Sequence, residues 1–142
     1  MWTNDRLAYR NFFYEAWAKR HDSKILTSLE AELINVIALH PEYHFIFEDE
    51  RLKEQEYFPE CGDINPFFHL SLHLGLREQL TTDRPKGIQE IYRLLLQKKQ
   101  NQHQVEHLMM EQISEMMFKA SRGEPLDDAT YLASLKKLLQ QT

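Results

Sequence analysis

The chain has 142 residues, of which 42% are hydrophobic, and a formal charge of −5 at pH 7. This length suits one domain with a sizeable core, and the acidic balance argues against a nucleic-acid partner, whose phosphates require a clustered basic surface. A single cysteine, Cys61, excludes an internal disulfide and is typical of a reducing compartment. No segment approaches the roughly 18 apolar residues of a membrane span, and the first residues do not resemble a secretion signal. We therefore expect a soluble, cytoplasmic protein with neither a nucleic-acid nor a membrane partner.

Apolar periodicity predicts two helices before residue 41. The first covers residues 4–20, and the second starts at a capping box in which Thr27 and Glu30 are three residues apart. The second helix should stop near His40, because Pro41 disfavours helical geometry in the residue before it. An aromatic stripe on the first helix is expected to belong to the core and consists of Tyr9, Phe13 and Trp17.

The middle of the chain contains the strongest turn signals. Pro41 can begin a short helix, and the charged segment 50–63, interrupted by proline and glycine, is predicted to be the longest surface loop. Asn65 as a cap and Pro66 as the first residue then start a third helix that runs to about Thr81.

Three further helices are predicted after a turn at residues 81–87. They cover residues 88–99, about 102–121, and a last segment capped by Asp127 or Asp128. No segment has the alternating period of a strand over a useful length. The fold class is therefore predicted as all-α, a single-domain bundle of five or six helices over residues 1–142.

Six of the seven histidines form three pairs with the spacing H-x-x-x-H. Seven histidines placed at random in this length would give roughly 0.3 such pairs, so three pairs are a signal. Residues four apart share one face of a helix, and two imidazoles there can chelate one divalent metal ion. The pairs are His40 with His44, His69 with His73, and His103 with His107.

The third pair continues along its helix as His103, His107, Glu111 and Glu115, each four residues after the last. Imidazoles aligned with carboxylates are donors that zinc, iron or manganese sites use. On a helical wheel, this stripe lies beside the apolar arc, so a solvated stripe of paired side chains stays an alternative. The neighbouring methionines are interpreted as core residues, namely Met109, Met110, Met116 and Met117.

Five blocks of this sequence resemble one known family in their order and spacing. They are RNFFYEAW at 10–17, HPEYH at 40–44, NPFFHLSLH at 65–73, PKGI at 85–88 and HQVEHLMMEQISEMM at 103–117. The family is the bacterial domain of unknown function 1841. This sequence has Phe118 where the family usually has tryptophan and Arg84 where it usually has glutamine. These differences affect packing and a turn. The resemblance implies small, soluble, cytoplasmic bacterial proteins and no catalytic residues to carry over.

The leading hypothesis is a helical protein that binds one or two divalent transition metals, such as zinc, iron or manganese. The metal would lie between the helix that starts at Pro66 and the helix of residues 102–121, completed by the HPEYH corner. If the protein is an enzyme, the metal would activate water or polarise a substrate, with Glu115 or Glu42 as the base. The candidate ligands are His40, His44, His69, His73, His103, His107, Glu111 and Glu115.

The alternative is a non-catalytic interaction or assembly module in which the histidines are structural. The aromatic stripe of the first helix would then serve a partner helix or the seam of a homo-oligomer. The sequence does not indicate a small-molecule substrate for either hypothesis.

Overall fold

The computed structural model describes residues 2–22 and 25–141, and within these residues it is all-helical, with no strand. The all-α prediction is confirmed, but the count of five or six helices is corrected to seven in the described part of the chain. The short helix predicted to begin at Pro41 forms as a 3-10 turn, Pro41–Tyr43, followed by a one-turn α-helix that the predicted count did not include. The helices are α1 (Trp2–Ala18), α2 (Ser28–Ala38), α3 (His44–Phe47), α4 (Pro66–Thr82), α5 (Ile88–Lys99), α6 (Gln102–Ser121) and α7 (Asp128–Gln140).

The chain divides into two compact units, Met1–Leu74 and Gly75–Thr142. The division falls within α4, which contributes residues to both units. The prediction of one domain over residues 1–142 stays a prediction.

Aromatic side chains form the centre of the first unit. Phe13 of α1 packs edge-on against Phe67 of α4, with ring centroids 5.7 Å apart, and stacks on Phe47 at 6.4 Å. Trp17 is also buried, as the predicted stripe requires, but Tyr9 is 48% exposed. The buried face of α1 is centred nearer Trp17, so Tyr9 lies at its margin with its ring edge against Phe13.

A buried arginine fixes the segment after α3 to this core. Arg10 donates through Nη1 to the carbonyls of Lys53 and Gln55, at 2.9 and 2.8 Å, and its guanidinium lies 4.5 Å from the Phe67 ring centroid. Burial lowers the pKa of this guanidinium. The segment 50–63, which was predicted to be a surface loop, contains two 3-10 turns, Glu50–Glu54 and Pro59–Cys61.

In this unit, α2 and α4 begin at the capping residues that the sequence predicted. The Thr27 side chain accepts from the Glu30 backbone N–H at 3.1 Å, and the Thr27 N–H donates to the Glu30 carboxylate at 3.0 Å. A hydrogen bond from Lys19 and one from the Thr27 backbone lower the pKa of Glu30. Asn65 caps α4 by accepting from the Phe67 N–H at 3.0 Å. Together these caps set where α2 and α4 begin, and therefore where their histidines lie.

Replacing Thr27 with alanine is expected to lower the free energy of unfolding by about 1 kcal/mol, because the Glu30 N–H loses its cap. Urea denaturation followed by circular dichroism measures the change. Ser28→Ala, one residue further on and also exposed, is the matched control and should stay within about 0.5 kcal/mol of the parent. Equal effects of the two substitutions would contradict the capping role.

The second unit buries one face of each of its helices. The predicted α5 positions Ile88, Ile91 and Leu95 are confirmed as buried. The methionines of α6 are core residues with one correction: Met117 is 43% exposed, because it lines an open pocket of the second unit. The other buried apolar residues of this unit are Leu76, Val105, Met109, Met110, Met116, Tyr131, Leu135 and Leu138.

The caps of α6 and α7 resolve an alternative that the sequence left open. Asn101 accepts from the Gln104 N–H at 3.0 Å, and Asp127, rather than Asp128, accepts from the Thr130 N–H at 2.7 Å.

Within residues 2–22 and 25–141, every helix is too short or too polar to cross a membrane.

Candidate metal centre

The end of α2 places one imidazole in the interior of the first unit. His40 follows the last turn of α2, and its side chain is fully buried. Its Nδ1 lies 2.9 Å from the carbonyl oxygen of Val36, one helical turn earlier. Since a carbonyl only accepts hydrogen bonds, Nδ1 carries the proton, and in the neutral ring Nε2 keeps its lone pair. This hydrogen bond fixes both the tautomer and the direction of Nε2.

Two histidines of α4 lie beside the His40 ring. His69 Nε2 lies 3.1 Å from His40 Nε2, and the two rings are nearly perpendicular. The ring of His73, which is also fully buried, lies 5.1 Å from the His40 ring, and a nitrogen of each lies within 4.8 Å of the other. The predicted i, i+4 pair of α4 therefore meets the histidine that ends α2.

The spacing of His40 and His69 is compatible with two states of the pair. At 3.1 Å, one Nε2–H can donate to the lone pair of the other nitrogen. The same two nitrogens could bind one ion, because Zn–N bonds of about 2.0–2.1 Å in tetrahedral geometry hold two ligands about 3.4 Å apart. A displacement of a few tenths of an ångström separates the two arrangements.

Tyr43 forms one wall of this cluster. Its ring is nearly parallel to that of His40, at 5.7 Å, and meets the His69 ring edge-on at 5.8 Å. Burial raises the pKa of the Tyr43 hydroxyl, which therefore stays neutral beside the imidazoles at pH 7. The ring covers both imidazoles with apolar surface.

His44, the other predicted ligand of the HPEYH corner, has different contacts. Its Nε2 donates to the Ile37 carbonyl at 2.9 Å, and its ring packs against the Trp17 indole, with centroids 4.8 Å apart. These contacts fasten α3 to the end of α2 and to α1. Of the two histidines in this corner, His40 is the one whose Nε2 lies beside the His69 imidazole of α4.

The predicted ligands of α6 lie in the second unit. His107 donates through Nδ1 to the His103 carbonyl at 2.8 Å, and the two rings lie 4.0 Å apart. This bond leaves Nε2 of His107 as the nitrogen suited to a metal. His103, Glu111 and Glu115 are exposed. That these four residues share an ion with the histidines of α4 stays a prediction.

A buried carboxylate that the sequence analysis missed lies on the same helix. Glu106 is 1% exposed and accepts from Arg77 Nε at 2.8 Å, from the Tyr92 hydroxyl at 2.7 Å and from Gln102 Nε2 at 2.8 Å. Burial and the bond to Glu106 raise the pKa of Tyr92. The helical wheel contains a signal for this residue, because Glu106 falls at about 300° from His103, inside the apolar arc.

The fold and this cluster define an all-helical protein in which α2 and α4 bring three imidazoles together within the first unit. The chain belongs to the family described as Domain of unknown function (DUF1841), whose model matches residues 5–137. The resemblance of the five sequence blocks is thereby confirmed. Comparisons with curated proteins and with solved structures found no match.

Proposed function

We propose that this protein binds a divalent transition metal ion through His40, His69 and His73. The observation that carries the proposal is the His40 imidazole, whose Nδ1–H is held by the Val36 carbonyl while Nε2 lies 3.1 Å from His69 Nε2. Metal-ligating histidines commonly donate their other N–H to a backbone carbonyl in this way, which orients the ring and raises its basicity.

The donor set favours particular metals among the three expected from the sequence. Neutral imidazoles suit zinc and iron, whereas manganese prefers carboxylate and water oxygens. The three histidines of the first unit provide no oxygen donor, so zinc and iron are the first candidates. Manganese would need carboxylates, and Glu111 and Glu115 are the residues that the sequence predicts for that purpose.

An ion held by these three imidazoles would have room for water or a substrate atom. It would act as a Lewis acid, lowering the pKa of that water or polarising a carbonyl or phosphoryl oxygen. Glu42, adjacent to Tyr43 and exposed, and Glu115 of α6 are the candidate bases named from the sequence. We place the protein in the cytoplasm, where one free cysteine is compatible with reducing conditions.

The alternative function, an assembly module with structural histidines, rests on a specific observation. His40, His44 and His107 each hydrogen-bond a backbone carbonyl, as a structural histidine would. The aromatic stripe that suggested a partner helix is less available, since Phe13 and Trp17 are buried within the first unit. A homo-oligomer stays a prediction, and it would have to use another surface.

Thermal unfolding with and without metal tests the metal proposal against this alternative. An ion held only by the folded state raises the melting temperature, by roughly 10 °C at a free concentration 100 times the Kd for a chain of this size. Zinc added to chelator-stripped protein should give such a rise, and magnesium, which imidazoles bind poorly, is the control. No difference between zinc, iron(II) and magnesium would favour the assembly module.

A further inference from the structure

A pocket of about 290 Å³ opens in the second unit. Its walls come from α4, α6, the start of α7 and the turns that precede α5 and α7, and the apolar part consists of Pro85, Ile113, Met116, Met117 and Leu126. The volume is near the lower end of the roughly 300–1,000 Å³ of small-molecule sites. Methionine side chains are flexible and polarizable, so this wall can adapt to ligands of different shape.

Two neutral polar side chains are held in place at the pocket. The Tyr131 hydroxyl donates to Gln79 Oε1 at 2.7 Å, and both residues line the cavity. Burial raises the pKa of Tyr131, so the hydroxyl keeps its proton and the hydrogen bond persists. The Tyr131 oxygen can still accept a hydrogen bond, and the Gln79 amide nitrogen can donate one.

The charged part of the lining is acidic. Asp127 and Asp128 both line the pocket, and the hydrogen bond from the Thr130 N–H lowers the pKa of Asp127, which is ionised at pH 7. None of the described residues that line the pocket is cationic, and no described residue forms a salt bridge with either aspartate. A ligand with a positive group would therefore meet two carboxylates that have no cationic side-chain partner among the described residues, beside an apolar wall.

We propose that this pocket binds a small organic cation, an ammonium group attached to an apolar body. The apolar body would lie against Met116, Met117 and Ile113, and the ammonium would donate to Asp127 and Asp128. Charge complementarity selects this class over a neutral or anionic ligand of the same shape, because an acid would place like charges together. All the lining residues belong to the second unit, so this proposal is independent of the metal binding proposed at His40.

Methyl NMR of methionine-labelled protein tests the proposal with n-hexylammonium as the probe, against 1-hexanol and hexanoate. The Met116 and Met117 methyl signals should shift on addition of the cation, while those of Met109 and Met110, which do not line the pocket, should not. Two exposed ion pairs, one with each aspartate, should make the cation bind roughly two- to thirtyfold tighter than the alcohol. Equal binding of alcohol and amine, or tighter binding of hexanoate, would overturn the proposal.

Two sets of variants locate the site. Met117→Trp should fill the pocket and abolish the shifts, whereas Phe118→Trp, at the next residue and 56% exposed, should leave them unchanged. Asp127→Asn with Asp128→Asn keeps a capping side chain on α7 and should remove the preference for the amine over the alcohol. Undisturbed Met109 and Met110 signals would verify folding. Retention of the shifts in Met117→Trp, or of the preference in the double variant, would overturn the assignment.

Discussion

Replacement of His40 by alanine is expected to abolish stoichiometric metal binding. His40 is fully buried, its Nδ1 is bonded to the Val36 carbonyl, its Nε2 lies 3.1 Å from His69 Nε2, and its ring lies 5.1 Å from the His73 ring. Loss of an outer hydrogen-bond partner of a ligand already costs roughly 10–100-fold in metal affinity, and loss of the ligand itself should exceed that. Titration of chelator-stripped protein with zinc, followed by calorimetry, measures the difference.

Two other histidines provide matched controls for this substitution. His21→Ala removes an exposed imidazole outside the three pairs and should leave zinc affinity and stability unchanged. His44→Ala should lower stability, because the ring packs on Trp17 and bonds the Ile37 carbonyl, but keep the zinc stoichiometry. If His40→Ala binds zinc as the parent does, His40 is a structural residue.

Among single substitutions outside the histidine cluster, we expect the largest loss of stability for Glu106→Ala. Glu106→Ala leaves Arg77, Tyr92 and Gln102 without the carboxylate that each contacts. Removal of one partner of a buried ion pair costs about 3–5 kcal/mol, and the lower end applies because the Arg77 side chain is 26% exposed and regains some hydration. Urea denaturation should therefore show a decrease of about 3 kcal/mol in the free energy of unfolding.

Glu111→Ala is the matched control, since it makes the same exchange on the same helix at an exposed position. It should change stability by no more than about 0.5 kcal/mol. A Glu106→Ala protein within 1 kcal/mol of the parent would mean that the carboxylate is hydrated or that its partners find other acceptors. In that case the buried network would not contribute to the stability of the second unit.

Local sequence signals predicted the long helices well because each signal acts within a few residues. The Thr27 and Glu30 box, the Asn65 cap and the buried face of α5 all appear as expected. The short helix predicted to begin at Pro41 forms as a 3-10 turn followed by α3, and the prediction did not count it as a helix of the bundle. Its extent depends on contacts between elements, such as the packing of His44 on Trp17 of α1, which local signals do not indicate.

The candidate site could be predicted only in part for the same reason. Spacing places His69 and His73 on one face of α4, but it does not indicate which of the other histidines meets them. That depends on the path of the chain after α2, which directs His40 rather than His44 to the α4 imidazoles. Glu106 lies in the apolar arc of α6, but its partners Arg77 and Tyr92 come from α4 and α5, and the sequence of α6 does not indicate them.

Elemental analysis of protein purified without an affinity tag or added metal tests the central claim most directly. The account predicts close to one zinc or iron per chain, with the metal absent from His40→Ala and from His73→Ala and retained in His21→Ala. The same measurement on His107→Ala tests the predicted contribution of α6. Metal-free protein that also fails to take up zinc, iron or manganese when these are supplied would contradict the account and identify the histidines as structural hydrogen-bonding residues.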